Sequence, residues 1–501
     1  MRSTRLRAFL AVCVLALAAC SGGGSSSDGA TSTSTTTRAP ADGTTAAKPL
    51  HWKQCDDGEC ATLAVPLTST QPFGPQVKLA VARVPAKKPD ERIGALVINP
   101  GGPGAPGTDF VKPVASELPE AITDRFDVVG WDPRGTGKSD PVDCGKKLDY
   151  LFDVDTAPDD AAEQTALDDA SKRFVAACQA GSPALLPHIA SIDTVRDMDL
   201  LRAALGEQKL TFVGFSYGTY LGALYAEHYP DHVRALLLDG AIDPSVSIAD
   251  VQIQQAKGFE ASLAAFLRSC ARDTSCAFHH GGDPKPALDA LRARIDRKPM
   301  KGANGRTLGP SQLDIALAAP LYSGSSGYKL LAGALSKAEH GDPGALLEIF
   351  DEYVTRGPDG TYAAEWPAFL AISCADGPDL SQADAVALQS RAAQEAPYFG
   401  ASNVGLSLPC SYWPVPPVNA VPTPVSAPSA PPIVVVGTTG DPATPIEWAQ
   451  GLTRQLGSAR LVTVDGTTHT SSLDANPCLD RANVAYLVHL RAPAPDLHCR
   501  S

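Results

Sequence analysis

Beyond its first twenty residues, the 501-residue chain has no apolar run long enough to cross a bilayer, a task that takes about 20 consecutive apolar residues. It also lacks an excess of positive charge: 42 Lys and Arg stand against 55 Asp and Glu, a formal net charge of −13. An acidic surface repels phosphate backbones, so nucleic acid is excluded as an expected partner. No Cys-x-x-Cys pair and no close His/Cys cluster is present, which removes the usual zinc signatures, and nothing else suggests a metal or organic cofactor. No internal repeat marks a solenoid or propeller. Aromatic residues make up only 6% of the chain, yet hydrophobic residues reach 44%. A chain of this length and composition buries a large core and is expected to divide into two or three units.

The first residues read as an export signal. Arg2, Arg5 and Arg7 precede an apolar run from Phe9 to Ala19, of 11 residues, which has the length of a signal core rather than of a membrane span. The run ends Leu17-Ala18-Ala19-Cys20, which resembles the bacterial lipobox. The resemblance implies cleavage before Cys20, a lipid on its thiol and anchoring to the extracytoplasmic face of the cell membrane, with some protein released. Ser21 to Lys48 is rich in Ser, Gly and Thr and is expected to be a flexible tether. Setting aside Cys13 and Cys20 leaves ten cysteines, an even number that in an exported chain implies disulfides. Pairing neighbours along the chain gives 55–60, 144–178, 270–276, 374–410 and 478–499, although spacing alone does not fix connectivity.

From about residue 77 to 240, short apolar runs alternate with helical patterns. Strands are expected at 77–84, 93–99, 126–131, 210–214 and 235–239, with helices over 193–205 and 217–228. Fully apolar strands separated by helices point to a mostly parallel sheet covered on both faces. From 245 to 425 the chain is Ala-rich and helical, and strands resume at 433–436 and 461–464. The expected organisation is therefore a leader (1–19), a lipidated tether (20–48), the first part of an α/β core (49–244), a helical lid insertion (245–425) and the C-terminal part of the core (426–501).

Four pieces of this pattern carry chemistry. Gly214-Phe215-Ser216-Tyr217-Gly218 lies between a strand and a helix, where a sharp turn with small neighbours lifts a serine hydroxyl above the sheet edge at a helix N-terminus. Asn99-Pro100-Gly101-Gly102-Pro103-Gly104 follows another strand. Its glycines leave backbone N–H groups to meet an oxyanion, so Gly101 and Gly102, together with the N–H of Tyr217, are the expected donors. Asp441 follows the strand at 433–436, on the side where such sheets hold their sites; an Asx-type turn without catalytic role is the plainer reading of it. Thr444 is placed to hold its carboxylate. His469 follows the strand at 461–464. The order Ser216, Asp441, His469 is that of an α/β-hydrolase triad, with His469 as base and Asp441 as the acid that orients it.

These motifs, together with Asp132-Pro133-Arg134-Gly135-Thr136-Gly137-Lys138-Ser139 and Asp441-Pro442-Ala443-Thr444-Pro445, resemble the tripeptidyl aminopeptidases and proline iminopeptidase-like peptidases of actinobacteria, over roughly residues 50 to 500. Asn99 departs from the His that proline iminopeptidases carry before the glycines, which places the chain nearer the tripeptidyl group. The resemblance implies an α/β-hydrolase with a helical lid that cuts peptides from the N-terminus through an acyl-serine. Such an enzyme must recognise a free α-amine, and Glu365 and Asp376 are candidate anionic partners; as solvated surface carboxylates they would have no such role. The competing function is a carboxylester hydrolase acting on envelope esters, since the same triad serves both and the lid decides. A non-catalytic binding lipoprotein is a third reading, opposed by the intact triad.

Overall fold

A computed structural model describes residues 48–56, 58–377, 380–418 and 423–500. The leader and Cys20 lie outside the described residues, as does all but the last residue of the expected tether.

Ten strands form one sheet: β1 (Lys53–Cys55), β2 (Gly58–Pro66), β3 (Gln76–Val84), β4 (Gly94–Asn99), β5 (Phe126–Trp131), β6 (Leu210–Phe215), β7 (Val233–Asp239), β10 (Val434–Thr438), β11 (Arg460–Val464) and β12 (Leu497–Cys499). Their order is β1-β2-β3-β5-β4-β6-β7-β10-β11-β12. From β5 to β12 every neighbouring pair is parallel, while β1, β2 and β3 pair antiparallel at one edge. The two remaining strands, β8 (Met300–Lys301) and β9 (Thr307–Leu308), make a small antiparallel hairpin elsewhere.

Every residue of β4, β5, β6 and β10 is buried. Alternate side chains enter two separate cores, as the period of two requires. Leu96, Ile98, Val213, Leu237 and Val436 pack with the helices Gly107–Glu117 and Pro477–His489. Val97, Phe212, Leu236, Leu238 and Val435 pack on the other face with Val195, Leu221 and Trp448 of the helices Ser191–Ala204, Tyr217–His228 and Ile446–Leu456. Between β7 and β10 the chain leaves the sheet, and the described residues from Ile248 to Tyr412 are mostly helical, with the β8–β9 hairpin among them.

Disulfides join Cys55–Cys60, Cys144–Cys178, Cys270–Cys276, Cys374–Cys410 and Cys478–Cys499, the neighbour pairing expected from the sequence. The segment 132–139 is a structural brace. Asp132 accepts from the backbone N–H of Thr108 and Lys138, both at 2.8 Å. The buried Arg134 pairs with Asp197 through Nε and Nη2 at 2.8 and 2.7 Å and donates to the carbonyls of Leu67 and His188. This ties β5 to the β2–β3 edge and to the helix Ser191–Ala204.

Candidate active site

Ser216 joins β6 directly to the helix Tyr217–His228 and has φ 54°, a conformation that costs a non-glycine residue energy. The turn is that sharp because nothing larger than hydrogen fits beside it. A Cβ on Gly214 would lie 2.4 Å from the Gly218 carbonyl oxygen, and one on Gly218 would lie 2.8 Å from Asn99 Oδ1. The Ser216 N–H donates to the Asp239 carbonyl at 2.8 Å, which fastens the elbow to the end of β7. Thr219 Oγ1 donates to the Ser216 carbonyl at 2.6 Å and accepts from the Ile242 N–H.

His469 sits on the loop after β11. Its Nδ1 lies 2.9 and 3.0 Å from the two carboxylate oxygens of Asp441, on the loop after β10. The two loops are joined by the Gly440 N–H, which donates to the Gly466 carbonyl. Asp441 Oδ1 accepts from the N–H groups of Ala443 and Thr444, both at 2.8 Å, and Oδ2 accepts from Thr444 Oγ1 at 2.7 Å. The Thr444 hydroxyl therefore holds the carboxylate as expected. The Asx-type turn is real too, and it coexists with the histidine contact. From the lid, the Tyr322 carbonyl accepts the His469 N–H at 2.9 Å, and the Tyr322 ring meets the imidazole edge to face, 5.3 Å between centroids. A Cβ on Gly240 would lie 3.3 Å from His469 Cε1. The imidazole and the elbow thus both rest on residues 239–240. Ser216, Asp441 and His469 are all buried, which puts their electrostatics in a low-dielectric setting.

The glycine loop lies against the elbow. A Cβ on Gly101 would stand 2.5 Å from the Phe215 carbonyl oxygen, 3.0 Å from the Tyr217 nitrogen and 3.1 Å from Ser216 Cβ. The expected donor set needs one correction: the Gly101 N–H is already donated to Asn99 Oδ1 at 3.0 Å. Gly101 therefore contributes close approach, and Gly102 and Tyr217 remain as the N–H groups of the expected set for an oxyanion. Tyr217 opens its helix, so its N–H has no intrahelical acceptor. Asn99 is buried and shapes the loop, a role that explains why an amide serves at that position.

The two lid carboxylates separate. Asp376 ends the helix Glu365–Asp376 and is buried. Its oxygens accept from the Ser191 N–H at 2.7 Å, the Ser191 hydroxyl, and the Tyr217 hydroxyl at 3.4 Å. It braces the residue that follows Ser216 and is not open to a substrate amine, which corrects the expectation for it. Glu365 begins the same helix, and a Cβ on Gly104 would lie 2.7 Å from its carbonyl oxygen. It therefore stays beside the glycine loop. Burial, then the nearby Asp109 charge, pushes its carboxyl up to about 7.

Burial likewise pushes the Asp376 carboxyl up to about 7. An unfolded aspartate titrates near pH 4. Between about pH 4 and about pH 7 the folded state therefore binds the extra proton, and stability falls as pH rises through that window. Asp376→Asn keeps an acceptor for the Ser191 N–H and cannot ionise. Urea midpoints are expected to fall less steeply with pH in Asp376→Asn than in the wild type across this window. Equal slopes would contradict the assignment of this carboxyl.

Thr444→Val removes the Oγ1 donor and keeps the shape. Losing a hydrogen bond to a charged carboxylate costs roughly 1.5 kcal/mol or more, so kcat/KM is expected to fall about tenfold with little change in KM. Unchanged kcat would contradict the role given to this hydroxyl.

Comparison with known proteins agrees with this fold. The family described as alpha/beta hydrolase fold matches residues 94–280, and the one described as TAP-like protein matches residues 396–499. Serine protease Hip1 of Mycobacterium tuberculosis is 34% identical over 480 residues, covering 90% of this chain and 91% of that protein. Tripeptidyl aminopeptidase of Streptomyces lividans is 31% identical over 486 residues, covering 92% and 88%. The chain belongs to this α/β-hydrolase family. Within the same family, carboxylesterase B of Mycobacterium tuberculosis is 36% identical over 492 residues, covering 92% of each chain. A serine hydrolase is thus the enzyme class for this chain. The first match runs from β4 into the helical insertion, and the second from the end of the insertion through β10, β11 and β12.

Proposed function

We propose that this α/β-hydrolase is a serine peptidase that releases short peptides or residues from peptide N-termini. The observation that carries the reading is the pairing of His469 Nδ1 with the Asp441 carboxylate beside a strained serine elbow, in a chain similar along its length to a tripeptidyl aminopeptidase and a serine protease.

In this reading His469 takes the Ser216 proton as Ser216 Oγ attacks the scissile carbonyl, and the proton passes on to the leaving amine. Asp441 fixes the imidazole tautomer and stabilises its charged form. The N–H groups of Tyr217 and Gly102 receive the oxyanion; losing one such donor typically costs about 3 kcal/mol of transition-state stabilisation. Water then attacks the acyl-enzyme with His469 as base. Glu365, beside the glycine loop, is the proposed partner of the substrate α-amine.

The alternative is a carboxylester hydrolase, which the relative named carboxylesterase B keeps in view. Hydrolysis of free and N-acetylated peptidyl p-nitroanilides, alongside p-nitrophenyl esters, separates the two. Anilide turnover that is lost on acetylation is expected. Ester turnover without any anilide turnover would end the peptidase reading.

Export and lipid anchoring through Cys20 form part of the same proposal, supported by the basic start, the short apolar run and the Leu-Ala-Ala-Cys sequence. Cys20→Ala is expected to move the protein out of the membrane fraction; retention there would oppose it.

A further inference from the structure

Behind Tyr322, whose ring packs on the His469 imidazole, a cavity of about 50 Å³ is lined mainly by the helical insertion. That is room for about four water-sized groups. Phe259, Tyr322, Tyr353 and Phe399 contribute rings to its wall. Several polar side chains line it: Ser311, Ser402 and Asn403 donate to backbone carbonyls, while Gln255 and Trp366, 1% and 2% exposed, are the ones with an unmet polar atom. Gln255 Nε2 donates to the Ala443 carbonyl at 2.9 Å. Only the amide nitrogen can serve a carbonyl acceptor, so the orientation of this amide is fixed and Oε1 is the end left over. Gln255 Oε1 and Trp366 Nε1–H have no hydrogen-bond partner among the described residues. Buried polar atoms are nearly always paired, and an unmet one is costly. Two of them, one acceptor and one donor, belong to residues that line the same small void.

The chemistry of a matching guest follows. It must offer one donor and one acceptor and fill a space of a few heavy atoms between rings. It must also be uncharged: Asp314 lines the cavity too, but Arg292 pairs with it at 3.0 Å, so no charge is left uncompensated. A hydroxyl or a carboxamide meets these terms; an ammonium, a carboxylate or an aliphatic group does not. The cavity is also joined to the reacting groups. Tyr322 forms its wall and packs on His469, while Gln255 anchors Ala443, whose N–H holds Asp441.

We propose that this cavity receives an uncharged hydrogen-bonding side chain of the peptide substrate, of the Asn or Thr type, with its donor on Gln255 Oε1 and its acceptor toward Trp366 Nε1–H. The proposal rests on the peptidase reading and names the side-chain class that the peptidase prefers. Sites built to hydrogen-bond a substrate group discriminate strongly against an isostere lacking it, because their own buried polar atoms are then stranded.

The test measures kcat/KM for peptidyl p-nitroanilides in matched pairs, Asn against Leu and Thr against Val, placed in turn at each of the three residues before the scissile bond. Wild type and Trp366→Phe are compared; the variant keeps an aromatic ring and removes only the N–H and the fused pyrrole. At one position the polar member is expected to be favoured about tenfold or more in the wild type. In Trp366→Phe that ratio is expected to move several-fold toward unity. A purely structural tryptophan would lower both members of a pair alike and leave the ratio in place. A wild-type ratio at or below one at every position, or a ratio unmoved in Trp366→Phe, would overturn the proposal and leave the cavity to ordered water. The same acyl groups are also tested as p-nitrophenyl esters. Silence on anilides with the side-chain preference intact on esters would sink the peptidase reading alone.

Discussion

Ser216→Ala is expected to lower kcat/KM about 10⁶-fold, the scale seen when the nucleophile of a triad is removed, while leaving the thermal midpoint within a degree or so of wild type. The two halves of this expectation have separate physical grounds. The hydroxyl is the only group on the residue that can form the acyl bond, so the loss is one of chemistry. The strained φ of 54° at this position is no worse for alanine than for serine, and the backbone contacts that fasten the elbow run through the Ser216 N–H and carbonyl. Substrate binding in the lid is untouched, so KM is expected to stay near the wild-type value. A mutant that folds normally and still turns over within tenfold of wild type would remove Ser216 from the mechanism.

Asp441→Asn is expected to cost about 10⁴-fold in kcat with little change in KM or stability. This substitution separates two roles that the structure superimposes. As an Asx turn, Asp441 needs only an oxygen to accept from the Ala443 and Thr444 N–H groups, and asparagine supplies that. Those two donors force the amide oxygen to the Oδ1 side, which leaves the NH₂ group at the Oδ2 position, 3.0 Å from His469 Nδ1. There it donates to Nδ1 and favours the tautomer whose proton sits on Nε2, the wrong atom for a base. The negative charge that stabilises the imidazolium is lost as well. Near-normal activity in a folded Asp441→Asn protein would reduce Asp441 to a turn residue and point to another acid. Asp239 would be the first to test, since it is buried at the end of β7 and accepts from the Ser471 and Ser472 N–H groups of the His469 loop.

The parts of this site that were legible in the sequence are those written by local rules. The elbow showed itself because β6 is continuously apolar and the glycines at 214 and 218 are required within a few residues of Ser216. Asp441 and His469 showed themselves because each follows a short apolar strand, and the helix Tyr217–His228 was placed to the residue. The disulfides followed because each joins neighbours in the sequence. What was not legible depends on contacts distant along the chain. β2 escaped because its first residues, Gly58 to Ala61, are only partly buried and show no alternation, and β12 is three residues long. The helix Glu365–Asp376 escaped because it is buried all around, so it has no amphipathic period to detect. With that helix unseen, Asp376 read as a substrate carboxylate when it is a brace under Tyr217. The Gly101 N–H could not be known to be occupied, because its acceptor is a side chain two residues back that any turn geometry might have pointed outward. Gln255 and Trp366 stand 111 residues apart in sequence and come to line one cavity only when the lid folds.

The most direct test of the account is covalent capture. The protein is treated with an organophosphonate that reacts with activated serines, and the adduct is located by mass spectrometry of proteolytic peptides. The account predicts one equivalent of adduct, on the peptide containing Ser216, with labelling abolished in Ser216→Ala and strongly slowed in His469→Ala. An adduct on a different serine, or Ser216→Ala protein labelled as fast as wild type, would contradict it.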